Sequence, residues 1–432
     1  MRNFKRFIIF VMIVTILFQK TIQFYWDNPL ISYLDEFIIT FFFLYSLISI
    51  FMKKSINKTS VHLLLLTLIF ITIGLLSFKF NSIGSTSNLL NSAFLSVKFL
   101  ILVISFMNIT VKKSTVNYAL SVLLVLAFIN SLFVIINFIM PDFYHRLFPF
   151  VYIDNARILG FGGAMGLFVH PGIAGWFSLL VGSIYLSRYS QKAKKSTLVF
   201  TIFHFFIALL SLRVKVILSM IALISFYILF VSARKSRMRN VVIGAFPMVI
   251  FLVVFQNMII ENLQKYIFNV GLYGVSVETS ARSALLSNSI QIVRDYFPLG
   301  VGFSKYGSWF ARVNYSEYYY KYGMSSIYGL TPSDPKFATD TYWPAILGET
   351  GIMGTVIYIG ILLLITKKLI QKFNQNKIEK NYSYFMAVLS LFIFGQAILE
   401  SFGEAIFNSS PQNIVLGIII GIAASNKLKE SD

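Results

Sequence analysis

Val61-His-Leu-Leu-Leu-Leu-Thr-Leu-Ile-Phe-Ile-Thr-Ile-Gly-Leu-Leu-Ser-Phe78 runs for eighteen residues without a fixed charge. As a helix rising ~1.5 Å per residue it would be about 27 Å long, close to the ~30 Å hydrocarbon layer of a bilayer. Stretches of the same kind recur at 118–140, 241–260 and 352–365. Across all 432 residues 57% are hydrophobic and 12% charged, about half the charged fraction of a typical soluble domain. The pattern predicts an all-α polytopic integral membrane protein and excludes a soluble globular one. The net charge of +20 lies in short clusters between apolar stretches, with no basic domain or recognition motif, so nucleic acid is excluded as a partner. The absence of cysteine removes disulfides, iron–sulfur clusters and thiolate chemistry. Arg2, Lys5 and Arg6 precede an apolar run to Phe18. No small-residue cleavage site follows, which reads as an uncleaved first helix.

Hydropathy predicts twelve spans, near 7–25, 37–52, 61–78, 89–110, 117–140, 166–187, 197–212, 216–232, 241–260, 343–366, 384–401 and 411–426. Residues 1–432 thus form a single membrane domain. Lys and Arg concentrate in cytoplasmic loops, and the charges check the count. With both termini cytoplasmic, that side holds 23 of the 37 basic residues against three acids, Glu379, Glu430 and Asp432. Merging any two spans would move basic clusters outside. A shorter outer loop covers 141–164, and a large polar one, 261–342, joins the ninth span to the tenth. Long loops of this kind are commonly lids or binding segments. No P-loop occurs and the cytoplasmic loops are short, which excludes an ATP-driven machine for this chain alone.

Chemistry is expected at the outer face. Arg157 opens a glycine-rich run that reaches His170-Pro171-Gly172-Ile-Ala-Gly175 and the sixth span. A helix N-terminus exposed there would attract phosphate; an ordinary loop-to-helix transition is the plainer reading. Arg213 and Lys215 sit outside, against the positive-inside tendency, either snorkelling to lipid phosphates or holding an anion. Residues two apart on a helix diverge by roughly 200°, so the two are expected on different faces. Arg282 and Arg294 flank an amphipathic stretch predicted to lie on the membrane surface, broken by Pro298, Gly300 and Gly302. Arg294 beside Asp295 also reads as a solvated pair. Seven tyrosines between Tyr306 and Tyr328, Tyr319 among them, crowd around Trp309. They suit a sugar groove and the membrane interface equally. Asp340, Tyr342 and Glu349 lead into the tenth span, and Lys98 and Glu400 lie within others. Acids and bases inside spans are functional candidates by default; an ion pair of Lys98 with one of these acids is the structural alternative.

Three blocks in order, Arg157…His170-Pro-Gly-Ile-Ala-Gly175, Arg282…Arg294-Asp-Tyr-Phe-Pro-Leu-Gly-Val-Gly302 and Asp340-Thr-Tyr…Leu347-Gly-Glu-Thr-Gly351-Ile-Met-Gly354, resemble the O-antigen polymerase/ligase superfamily. Within it the resemblance is to the Wzy-type polysaccharide polymerases. It covers roughly residues 150–365. It implies a glycosyltransferase acting on undecaprenyl-diphosphate-linked oligosaccharides at the outer face of the bacterial plasma membrane. A chain-length regulator and a flippase of the same pathway are implied partners. Ligases of the superfamily carry an Ala-His-Asn type motif at the end of the long loop. The matching positions here are Thr339 and Asp340, a departure that points to a polymerase.

Arg157, Arg213 and Arg282, with Lys215 assisting, would hold the leaving diphosphate, since Arg offers a bidentate fork to phosphate oxygens. No metal site is evident in the sequence and no cofactor is implied. Asp340 is the first choice of base for the acceptor hydroxyl, and His170 or Glu349 the alternatives. Two rivals stand beside the polymerase. A ligase-type transferase differs by its acceptor. A flippase or transporter would place charges near the bilayer midplane.

Overall fold

The computed structural model describes residues 2–26, 28–81, 83, 88–149, 162–232 and 281–426. Among them no β-strand forms, and eight helices are long and apolar enough to cross a membrane. In chain order the helices are α1 (Arg2–Tyr25), α2 (Pro29–Ser32), α3 (Leu34–Lys53), α4 (Lys58–Asn81), α5 (Leu89–Asn108), α6 (Lys113–Ile139) and α7 (Pro141–Leu147). They continue with α8 (Pro171–Lys192), α9 (Lys195–Leu209) and α10 (Val214–Phe226), which ends in a π-turn. After the undescribed stretch come α11 (Ala281–Asp295), α12 (Trp309–Val313), α13 (Glu317–Lys321), α14 (Trp343–Asn376), α15 (Tyr382–Glu400) and α16 (Gln412–Ala424). Eleven of the expected spans coincide with helices; the ninth, 241–260, lies outside the described residues. Two spans differ in extent. The sixth starts five residues later than hydropathy suggests, because His170 caps the helix and Pro171 opens it. The tenth continues to Asn376, past the apolar stretch, into a basic amphipathic end.

The main core joins α1, α3, α4, α5, α6, α8, α14, α15 and α16, and a second one joins α8, α9, α10, α14 and α15. The buried Lys98 finds its partners inside. Lys98 Nζ lies 2.7 Å from Asp35 Oδ2 and 3.5 Å from Glu36 Oε1. Lys98 is thus ion-paired as the structural alternative anticipated, but to acids on α3 and not to Asp340, Glu349 or Glu400. Removing one partner of such a buried pair is costly.

The 281–342 region is a small helical module with its own core of Leu285, Ile292, Tyr306, Tyr318, Tyr319, Met324 and Leu330. It docks through a break in α14. Gly351 takes φ 65°, ψ −165°, outside the helical region. Past such a break the Gly348 and Glu349 carbonyls lose their usual partners four residues on. They accept instead from the amides of Val301 (2.9 Å) and Gly302 (2.8 Å), while the Met353 amide donates to the Pro298 carbonyl (3.4 Å). A side chain at Gly300 or Gly351 would overlap the opposing backbone. Gly300 of the second sequence block and Gly351 of the third therefore serve one joint. Phe303 inserts beyond it, filling the space left by Gly74 against Phe70.

Candidate functional site

Contacts place the C-terminal ends of α1 and α4 with the N-terminal ends of α5, α8, α10 and α14 at the end of the bundle that carries the module. Thr21 reaches Leu167, Gly300 and Ser304 reach Ser77 and Ser92, and Tyr342 reaches Ser401. Arg282 stands in the first turn of α11, its Nη2 3.2 Å from Asp340 Oδ2. Burial raises the Asp340 carboxyl above its ordinary range, only partly offset by Arg282. The charges of Lys215 and Glu404 bear on it too. Lys215, in the first turn of α10, pairs with Glu404 in the α15–α16 connection. Glu404 Oε1 also accepts from Gln412 Nε2 at 3.0 Å. Burial would raise the Glu404 carboxyl, but Lys215 outweighs it, and with Lys20 holds it below its usual value.

Arg213 precedes α10 as its N-cap, in extended conformation. The helical geometry that separates residues two apart does not apply, and both Arg213 and Lys215 act on His170. His170 itself is a cap. Its Nδ1 accepts from the Gly172 amide at 3.0 Å, and its carbonyl accepts from Ile173 and Ala174. The helix end expected to attract phosphate is thereby satisfied from within. Burial first, then Arg213 and Lys215, push the His170 imidazole down to about 3. With Nδ1 accepting, the neutral ring carries its proton on Nε2, which makes it a donor.

Glu349 is committed elsewhere. Its Oε1 accepts from the amides of Lys305 (3.0 Å) and Tyr306 (3.2 Å) and from Ser308 Oγ (2.6 Å). It anchors the module to α14. The tyrosines are mostly core: Tyr319 is fully buried with its hydroxyl accepting from the Gly307 amide at 3.1 Å. Tyr342 is buried against Trp343, Tyr358 and Phe407. Phe297, Trp309, Tyr320 and Tyr328 are the exposed aromatics of the module. Arg294 is exposed at the far end of α11, about 18 Å along the helix from Arg282 at ~1.5 Å per residue, and the neighbouring Asp295 accepts from Tyr322 Oη. Arg157 lies outside the described residues.

Two charged residues of this end were missed. Lys20 on α1 acts on Glu404, Lys215 and His170. Glu404 closes the Lys215 pair. Their signal in sequence is a lone lysine near the end of an apolar span and a second acid four residues after Glu400.

A bundle of apolar helices with cations and acids gathered beneath a polar module defines a polytopic membrane protein with a polar site at one end. Residues 197–359 match the family model described as O-antigen ligase. The match supports the O-antigen ligase/polymerase superfamily, in agreement with the resemblance of the sequence blocks. Members of that family are membrane glycosyltransferase-like enzymes. The matched region contains Arg213, Lys215, Arg282, Asp340 and the Gly351 break; His170, Lys20 and Glu404 lie beyond it. No curated protein matches the chain.

Proposed function

We propose that the chain is a polysaccharide polymerase of the plasma membrane, which transfers a growing glycan from undecaprenyl diphosphate to a lipid-linked repeat unit on the outer face. The observation that carries this reading is the Arg282–Asp340 pair beside Lys215 and Arg213. A leaving lipid diphosphate needs positive charge where its negative charge grows. Arg282, Arg213 and Lys215 supply it, with Lys20 at the rim. The acceptor hydroxyl attacks the anomeric carbon, and the bond from that carbon to the phosphate oxygen breaks. The hydroxyl proton passes to Asp340, whose raised basicity suits it to accept. Thr339, before Asp340, stands where ligases of the superfamily carry the histidine of their Ala-His-Asn type motif, and that departure favours the polymerase. Product identity as O-antigen, capsule or exopolysaccharide belongs to the same proposal.

A ligase is the second reading, favoured by the description of the matching family model. Surface-glycan length in the native cell distinguishes them, with the gene deleted and with Arg282→Ala. For a polymerase, single repeat units still reach the surface and the ladder disappears in both. Full-length polymer stranded on its lipid carrier would establish a ligase. Lipid-linked units trapped inside would mean transport, and normal-length polymer with Arg282→Ala would remove Arg282 from the chemistry.

A further inference from the structure

Both leading cations of the proposed site are held by carboxylates of this chain. Arg282 and Asp340 are 35% and 31% exposed, Lys215 and Glu404 19% and 20%. In each pair the partners come from distant segments, so either can part without unwinding a helix. Carboxylate and phosphate oxygens offer a guanidinium or ammonium the same kind of acceptor. Each pair is partly open to solvent, which screens its attraction, so a diphosphate can compete for the cation. The two carboxylates differ in what remains afterwards. Glu404 keeps Gln412 as a donor. The Asp340 carboxylate has its hydrogen bond from Arg282, and that is the group diphosphate would take.

We infer that Asp340 and Glu404 compete with the donor's diphosphate for Arg282 and Lys215, and that its binding exchanges carboxylate for phosphate and releases Asp340 to take the acceptor proton. This rests on the diphosphate reading and adds an order to it: the base is unmasked only when the leaving group is seated. Premature activation of water or acceptor is thereby avoided. Glu404 is then a positioning residue that tunes Lys215 without touching the glycan.

Inorganic pyrophosphate binding to the purified full chain in detergent tests the exchange. Removing a competing carboxylate tightens binding, whereas removing a mere support loosens it, so the sign decides. Glu404→Gln and Asp340→Asn should each bind pyrophosphate about fivefold more tightly than the native chain, and Asp340→Asn should nevertheless transfer no glycan. Equal or weaker binding in both variants overturns the exchange. Should Glu404→Gln fail to fold, Asp340→Asn alone carries the test. Arg282→Ala with Lys215→Ala separates the two levels. If that double variant binds pyrophosphate as the native chain does, the diphosphate site itself is wrong. If it loses binding while the carboxylate variants leave binding unchanged, only the exchange is wrong.

Discussion

His170 shows how one side chain can carry a catalytic-type environment and a structural task. Its Nδ1 closes the first turn of α8, and burial, with Arg213 and Lys215 beside it, keeps the ring neutral. Asn is among the best helix caps and Ala among the poorest, a difference of about 1 kcal/mol. His170→Asn should therefore retain the thermal stability and the glycan ladder of the native chain, while His170→Ala lowers the melting temperature in detergent. Loss of transfer by a stable Asn variant would restore His170 to the chemistry. The imidazole binds its proton only near pH 3, below the ~6.5 of an unfolded chain. The stability this depressed value contributes is therefore present above about pH 6.5 and falls as pH drops toward 3. Lys20 makes the complementary case at the same scale. Its charge reaches Glu404, Lys215 and His170 from a helix otherwise devoted to packing. Lys20→Ala should raise KM for the lipid-linked donor about tenfold, the loss of ~1.4 kcal/mol of binding, with kcat within about twofold. An unchanged KM would return Lys20 to the lipid headgroups.

At the scale of elements, the break in α14 joins two distant stretches of chain. The carbonyls of Gly348 and Glu349 and the amides of Val301 and Gly302 complete one another, and Glu349 adds a carboxylate to three donors of the 305–308 turn. Leaving a buried donor without its acceptor costs about 1–3 kcal/mol. Glu349→Ala should accordingly abolish stable expression of the module. Glu349→Gln keeps an acceptor oxygen and should still make polymer; failure of a well-folded Gln variant would make Glu349 the proton acceptor after all. Gly351→Ala imposes φ 65° on a residue with a Cβ, at roughly 1–2 kcal/mol, and adds overlap with the Leu299 backbone. A clear fall in melting temperature is expected. The glycines of this joint were legible in the sequence as helix breakers, but not as partners. Spacing along a chain says where backbone freedom is needed and not which distant segment uses it. The tyrosines misled for a related reason. Their rings pack as core and their hydroxyls reach backbone groups, so Tyr319 and Tyr306 satisfy in one buried module the same chemistry that a sugar groove would need.

Over the whole molecule, hydropathy located the helices because lipid demands long apolar segments whose backbone bonds close internally. Their pairing is a tertiary matter: Lys98 finds Asp35 and not a deeper acid, and Glu404 reaches Lys215 across 189 positions. Charge supplies the orientation. Lys53, Lys112, Lys192, Lys194, Lys195, Lys367, Lys372 and Lys380 gather at helix ends opposite the module, where Lys53 reaches Thr110 and Lys372 reaches Asn426. By the positive-inside tendency we propose that these ends are cytoplasmic and the Arg282–Asp340 site outside, where lipid-linked glycans would be polymerised. The chain has no cysteine, so single cysteines report sidedness without background. Ser333 is exposed in the module and Lys194 is exposed between α8 and α9. Ser333→Cys should react with a membrane-impermeant maleimide on spheroplasts, and Lys194→Cys only after permeabilisation. The reverse pattern would turn the site toward the cytoplasm, where nucleotide-activated sugars would be the donors to consider and a lipid-diphosphate polymerase would be the wrong enzyme.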